Sequence, residues 1–261
     1  MADRYEVSDD ETEIEQRRLR LLAEARDPWT RATIDSLGTA VGWRCLEIGA
    51  GAGSISNYLG ERVGPHGSVV ATDIDTRFHE PPIANVTLLH HDVVRDPAPG
   101  RDFDVIHARA VLQHLPERET VLARLIEWLR PGGWLLIEET DVRAFVEQPL
   151  PEPYGTVHRL MNDPAFTPWR EPNFGTRLAA LLGDRGLIDI DVEGQAWAMR
   201  PGEPGGDWWF LAVQRTLPRL LAAGVIDEVA AASVRDTIAD PSLVIVSPLS
   251  LAIRARRPAL D

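Results

Sequence analysis

Two carboxylates and three glycines carry the first chemical signal in this chain. Residues 45–54 read CLEIGAGAGS, with Glu47 two positions before Gly49 and further glycines at Gly51 and Gly53. An apolar strand that runs into closely spaced glycines and then a helix forms a ligand cradle. Glycines let a ligand approach the backbone, and the helix start offers N–H groups without intrahelical partners. Two cofactor classes use such a loop. A dinucleotide fingerprint would place its third glycine at position 54, where this chain has Ser54. Asp73 closes the run VVATD about 20 residues on, at the expected carboxyl end of the second strand. An ionised acid there can accept hydrogen bonds from two vicinal hydroxyls, and these are about twice as strong as neutral ones.

The segments around these residues resemble class I S-adenosylmethionine (SAM)-dependent methyltransferases. VVATDID, LLHHDVVRDP, FDVIHARAVLQHLPERE and LRPGGWLLIEE follow the glycine loop in the order and spacing of that family, over about residues 40–140. The resemblance implies SAM as cofactor and S-adenosylhomocysteine as product. It implies a binding set of Glu47, Gly49, Ala50, Gly51, Asp73, Ile74, Asp92, Val93, Ala108 and Arg109. In that set Glu47 meets the methionine portion, Asp73 the ribose, and Asp92 the adenine amino group, with Val93 on the ring; Ala108 and Arg109 lie near the methionine end. Asp75 is read as a helix cap. His114 matches a histidine common in the family and could take a proton from an oxygen or nitrogen acceptor; a structural hydrogen bond is the alternative. Glu139 and Asp141 are further candidate bases, with capping or solvent exposure as the competing role.

No metal is expected: relatives that need one carry an acid here with a later Asp-Asn pair, which this chain lacks. The tetrad that holds a flipped base in nucleic-acid methylating families is replaced by His107, Ala108, Arg109 and Ala110.

The elements that must position these residues alternate. Apolar runs at 44–48, 68–72, 86–90, 103–107 and 134–138 are separated by helical patterns, which predicts right-handed crossovers and a mostly parallel sheet. The resemblance sharpens this to a Rossmann-like, doubly wound α/β fold with seven strands, the last antiparallel, and helices on both faces. A helix over 12–25, limited by Pro28, and a second over 29–37 precede the sheet. Residues 1–38 are read as a helical lid in which Tyr5 and Arg18 approach the cofactor, and 39–261 as the methyltransferase domain. After Thr140, six prolines between Val146 and Asn173 mark an insertion, about 143–175, read as a cap. A helix at 174–185, a strand at 188–199, two helices between Asp207 and Ala239, and a strand at 243–254 complete the chain.

Composition narrows the partner. The net charge is -13, and all 27 basic residues are arginine. Such an acidic chain disfavours nucleic acid as substrate, because binding a polyanion needs a basic face to displace counterions. One cysteine, Cys45, excludes an intramolecular disulfide and fits a reducing cytoplasm. No apolar run approaches a membrane span, and the acidic start is unlike a signal peptide.

Aromatic residues crowd the second half: Phe145, Tyr154, Phe166, Trp169, Trp197, Trp208, Trp209 and Phe210. They favour a small, ring-bearing acceptor, with monomer and homodimer both open. A SAM-binding enzyme that catalyses a cyclisation or isomerisation without methyl transfer is the alternative function.

Overall fold

The computed structural model describes residues 12–259. Seven strands form one sheet in the order β3-β2-β1-β4-β5-β9-β6. They are β1 (Arg44–Ile48), β2 (Ser68–Asp73), β3 (Val86–His90), β4 (Phe103–Arg109), β5 (Leu129–Asp141), β6 (Ile188–Gln195) and β9 (Leu249–Arg256). β1 pairs in parallel with β2 and β4, β2 with β3, and β4 with β5, whereas β6 and β9 are antiparallel. The sheet is therefore the Rossmann-like, mostly parallel arrangement with an antiparallel last strand.

Strand alternation sends successive side chains to opposite faces. Leu46, Ile48, Ile106, Leu135 and Ile137 pack on α3 (Arg118–Trp128) and α6 (Phe174–Asp184), through Leu122, Leu125, Phe174 and Leu178. Cys45, Val105 and Leu136 pack on the other face, against Ile34 of α1 (Thr12–Ser36) and Ile55 and Leu59 of α2 (Ser54–Val63). Helices thus cover both faces, as parallel sheets require.

The described chain divides into two compact units: residues 27–141, 170–195 and 250–259 carry the large sheet, and residues 12–26, 142–169 and 196–249 form the other. These units cut across the sequence-based boundaries, since both the 1–38 segment and the 143–175 insertion are shared between them.

The smaller unit is built from α4 (Arg143–Val146), α5 (Tyr154–Asn162), α7 (Pro204–Ala222), α8 (Glu228–Ala239) and a two-stranded sheet of β7 (Ala198–Met199) and β8 (Ile245–Val246). Phe145, Tyr154, Trp209 and Phe210 are core there, with Phe166, Trp197 and Trp208 packed against it.

Several boundaries differ from expectation. Pro28 does not end a helix: α1 runs unbroken past it. The ring removes one backbone bond at a cost near 3 kcal/mol, but Asp27 and Thr30 both bond Arg109 and Ile34 is fully buried, so tertiary anchors hold the helix beyond the break. The expected strands 188–199 and 243–254 each split in two. Pro248 has no N–H for a ladder, and Trp197 and Ser247 exchange bonds beside β7 and β8 (2.9 and 3.0 Å). α7 begins earlier than Asp207 because Pro204 occupies the first helical turn.

Cys45 is fully buried in β1, an interior strand of the sheet. Burial, then the negative charges of Asp104 and Glu47, hold its thiol well above the ordinary range. A thiol-specific disulfide reagent is expected to label the native protein only on unfolding. Rapid native labelling would contradict a closed layer over β1.

Candidate cofactor site at the carboxyl end of the sheet

The glycine loop leaves β1 at the carboxyl edge of the large sheet. The Gly49 and Gly53 φ angles are 69° and 85°, a left-handed region in which side chains are strained. Space is also absent: a methyl at Gly49 would lie 2.4 Å from Val111 Cγ2, and one at Gly53 2.4 Å from the His79 ring. The amides of Gly49 and Ala50 donate to the Thr72 carbonyl at 2.8 and 3.0 Å, which turns the chain over the end of β2. α2 then starts at Ser54, and Gly53 before it offers no side-chain cap, so the first amides of the helix keep their capacity to donate.

Asp73 ends β2 and faces this turn. Its Oδ2 accepts from the Gly51 amide at 2.8 Å and its Oδ1 from the Asp75 amide at 2.9 Å. Burial raises its pKa above the ordinary value, with the backbone bonds pulling down and the Asp75 charge adding to the rise. Each oxygen retains acceptor capacity, as a vicinal diol requires. Next to it Ile74 is 42% exposed, an apolar side chain laid open beside a carboxylate. That combination fits a nucleoside, whose sugar is polar and whose base is flat and apolar. Asp75 caps the turn Thr76–Phe78 by accepting from Arg77 N, the cap role expected of it.

Asp92 follows β3, and its Oδ1 accepts from the Val94 amide at 2.9 Å. This bond stabilises the turn after β3, and Oδ2 lies 3.8 Å from Arg95 Nε. Val93 is buried in the core beside it.

Glu47, His107 and Glu138 form a buried row across β1, β4 and β5. They follow Cys45, Val105 and Leu136 by two residues along each strand, and so face α1. His107 Nδ1 lies 2.7 Å from Glu47 Oε2, and Nε2 lies 3.4 Å from Glu138 Oε1. Burial alone would lower the imidazole pKa, but the two carboxylates outweigh it and raise it to about 9. Thr30 on α1 donates to Glu138 Oε2 at 3.0 Å. Arg109 Nη1 donates to Thr30 Oγ1 and Asp27 Oδ1, both at 3.0 Å. Sequence reasoning named Glu47 and Arg109 but not His107, Glu138, Thr30 or Asp27 as part of one network. The signal was a histidine at an inward position of VIHA, aligned with the acid of β1.

After β4 the chain turns at Ala110, with φ 55°, into the short turn Leu112–His114. Glu139 Oε1 gathers the amides of Val111, Leu112 and Gln113 at 3.2, 2.7 and 3.3 Å. It is fully buried, and burial pushes its pKa up to about 7 while the three amides pull it down. Of the two alternatives to a base, the structure shows capping. Asp141 is buried at the end of β5, and Ala108 lies within the core. His114 sits half-buried at the end of the turn. In the other unit Arg18 is held by both oxygens of Glu15; Tyr5 lies outside the described residues. Among the described residues no three His, Cys, Asp or Glu side chains are grouped to hold a metal.

A Rossmann-like sheet ending in this loop and acid defines the class: a SAM-dependent methyltransferase of class I. A model of the methyltransferase domain matches residues 7–222, and the chain belongs to that family. It is 37% identical over 158 residues to the methyltransferase str3 of Strobilurus tenacellus, covering 58% of this chain and 55% of that protein. It is 32% identical over 120 residues to the ubiquinone/menaquinone biosynthesis C-methyltransferase UbiE of Stutzerimonas stutzeri, covering 42% and 47%. The matches thus span about half the length of these relatives. In fold it is similar to a SAM-dependent methyltransferase of Aquifex aeolicus, with TM-score 0.52 and 16% identity over 96% of this chain and 100% of that one.

Two outcomes follow from this geometry. Gly49→Ala should lose about 1–3 kcal/mol in urea denaturation, because both φ and Val111 oppose a methyl group; a variant as stable as the parent would mean a different loop. Glu139 prefers its proton in the folded state, so its contribution falls as pH rises from 4.5 through about 7 and is constant above that. Glu139→Gln should flatten that fall, by on the order of 3 kcal/mol at most. An unchanged pH slope would contradict the burial of this carboxyl.

Proposed function

We propose that the enzyme moves the methyl group of SAM to oxygen, nitrogen or carbon of a small aromatic metabolite, in bacterial natural-product tailoring. The cofactor half of the reading is carried by one observation: Asp73, fixed by the Gly51 amide, stands beside the open apolar face of Ile74. In this reading Asp73 takes both ribose hydroxyls, and Ile74 and Val93 border the adenine, whose amino group meets Asp92. Gly49, Ala50 and Gly51 admit the cofactor close to the backbone. Glu47, with Ala108 and Arg109 near it, serves the methionine end.

SAM supplies an already activated methyl group, so the chain's own task is to hold the acceptor in line, at about 3–3.5 Å, and keep water out. For an oxygen or nitrogen acceptor His114 takes the proton released as the new bond forms. A carbon acceptor is supported by the name of the UbiE relatives, C-methyltransferases of ubiquinone and menaquinone biosynthesis. The acidic surface supports an uncharged or cationic acceptor over nucleic acid. The reading takes the enzyme as a cytoplasmic monomer or homodimer; no helix among the described residues is long and apolar enough to cross a membrane.

The test is incubation with methyl-labelled SAM and a panel of phenols, hydroquinones and aromatic amines. Label is expected in one product class, with one S-adenosylhomocysteine formed per methylated product. Acceptor conversion without S-adenosylhomocysteine would overturn methyl transfer in favour of a non-methylating reaction.

A further inference from the structure

We propose that His107 is a positioning residue for Glu47: gripped between the carboxylates of Glu47 and Glu138, it fixes the acid that precedes the glycine loop in the orientation that receives the amino group of SAM. The inference rests on the reading of Glu47 as a residue of the methionine end. His107 itself is fully buried one residue before Ala108, and it touches no solvent.

The argument begins from cost. Two buried carboxylates side by side repel, and each loses its hydration; a cation between them is the arrangement that lets both stay charged. His107 Nδ1 meets Glu47 Oε2 at 2.7 Å, the length of a charge-assisted bond. The second contact, 3.4 Å to Glu138 Oε1, is looser, and Glu138 is held from α1 by Thr30. The imidazole is therefore drawn toward Glu47, while Glu138 backs it from the other side.

The ionisable groups that face the ring are Glu47 on β1 and Glu138 on β5. The next charges, Asp27 and Arg109, pair with each other and reach Glu138 through Thr30. Two carboxylates around one imidazolium leave a net negative charge, complementary to an ammonium group. With its pKa near 9, His107 holds its proton at neutral pH. A neutral, freely turning residue in its place would leave Glu47 both unpaired and unaimed.

His107→Asn keeps an amide N–H near the position of Nδ1 but has no charge, so it separates charge from hydrogen bonding. Calorimetric SAM affinities of the parent, His107→Asn and Glu47→Gln, from about pH 7 to about pH 10, test the proposal. His107→Asn keeps the bond and loses its charge, and is expected to bind SAM about tenfold more weakly near neutrality, the scale by which charge strengthens a hydrogen bond. The ratio of the variant's Kd to the parent's should shrink toward one above pH 9, as the parent loses the charge that the variant never had. Titration of the SAM amino group itself divides out of that ratio.

A variant equal to the parent at every pH, with Glu47→Gln weakened, would overturn the role of His107 and leave the reading of Glu47 standing. Glu47→Gln binding as tightly as the parent would overturn that reading itself. Should His107→Asn fail to fold, NMR titration of the parent's histidine ring decides. By linkage, a ring charge that strengthens SAM binding must itself be favoured by bound SAM, so SAM raises the apparent pKa of His107, and an unshifted or lowered value would overturn the proposal.

Discussion

The Asp73 carboxylate ties together the two strands on which the site is built. It accepts the Gly51 amide across from the turn after β1, and the Asp75 amide from the turn after β2. Both turns are thereby set against one anchor, and the direction in which α2 leaves the loop follows from it. Glycine at 49 and 53 is the covalent consequence, because the backbone there adopts left-handed angles and an added methyl would lie 2.4 Å from Val111 or His79. Val111 in turn is placed by the Glu139 carboxyl. The post-β4 turn and the glycine loop are thus packed as one object.

Around that anchor the carboxyl end of the sheet concentrates charge where a sheet interior usually carries aliphatic side chains. Glu47, His107, Glu138, Glu139 and Asp141 are all buried. Such groups are tolerated only when bonded, and the structure bonds them through strands and α1 together: Glu47 with His107, Glu138 with Thr30, Glu139 with three amides. Toward the amino ends of the same strands Cys45, Leu46, Phe103, Val105 and Ile106 are apolar and hold the core. Apolar packing and buried charge therefore occupy opposite ends of the same strands, and the charged end is the one beyond which open α/β sheets as a rule bind ligands.

The sequence made the sheet readable where short apolar runs lie between turn residues. β1 and β3 begin and end where the runs do, and β2 and β4 extend only to Asp73 and Arg109. The glycine loop, Asp73 and Asp75 were legible because their behaviour is local. What was hidden depends on distant partners. His107 and Glu47 are 60 positions apart, and Thr30 and Glu138 are 108 apart, so no window of sequence contains either pair. Pro28 signalled a helix end, yet the anchors that carry α1 past it lie on β4. The split of the 188–199 and 243–254 runs turns on pairing between Trp197 and Ser247, 50 residues apart. The proline-rich stretch concealed α5, whose Tyr154, Val157 and Met161 repeat on one face and pack in the core with Trp209 and Phe210.

The central claim is that Asp73 and the glycine loop hold an adenosyl cofactor of the SAM type and not a dinucleotide. Calorimetric titration of the protein with SAM, S-adenosylhomocysteine and NAD, beside the Asp73→Ala variant, tests it most directly. The account predicts binding of both adenosyl ligands, none of NAD, and loss of adenosyl binding in Asp73→Ala. Binding of NAD, or adenosyl affinity untouched by Asp73→Ala, would contradict it.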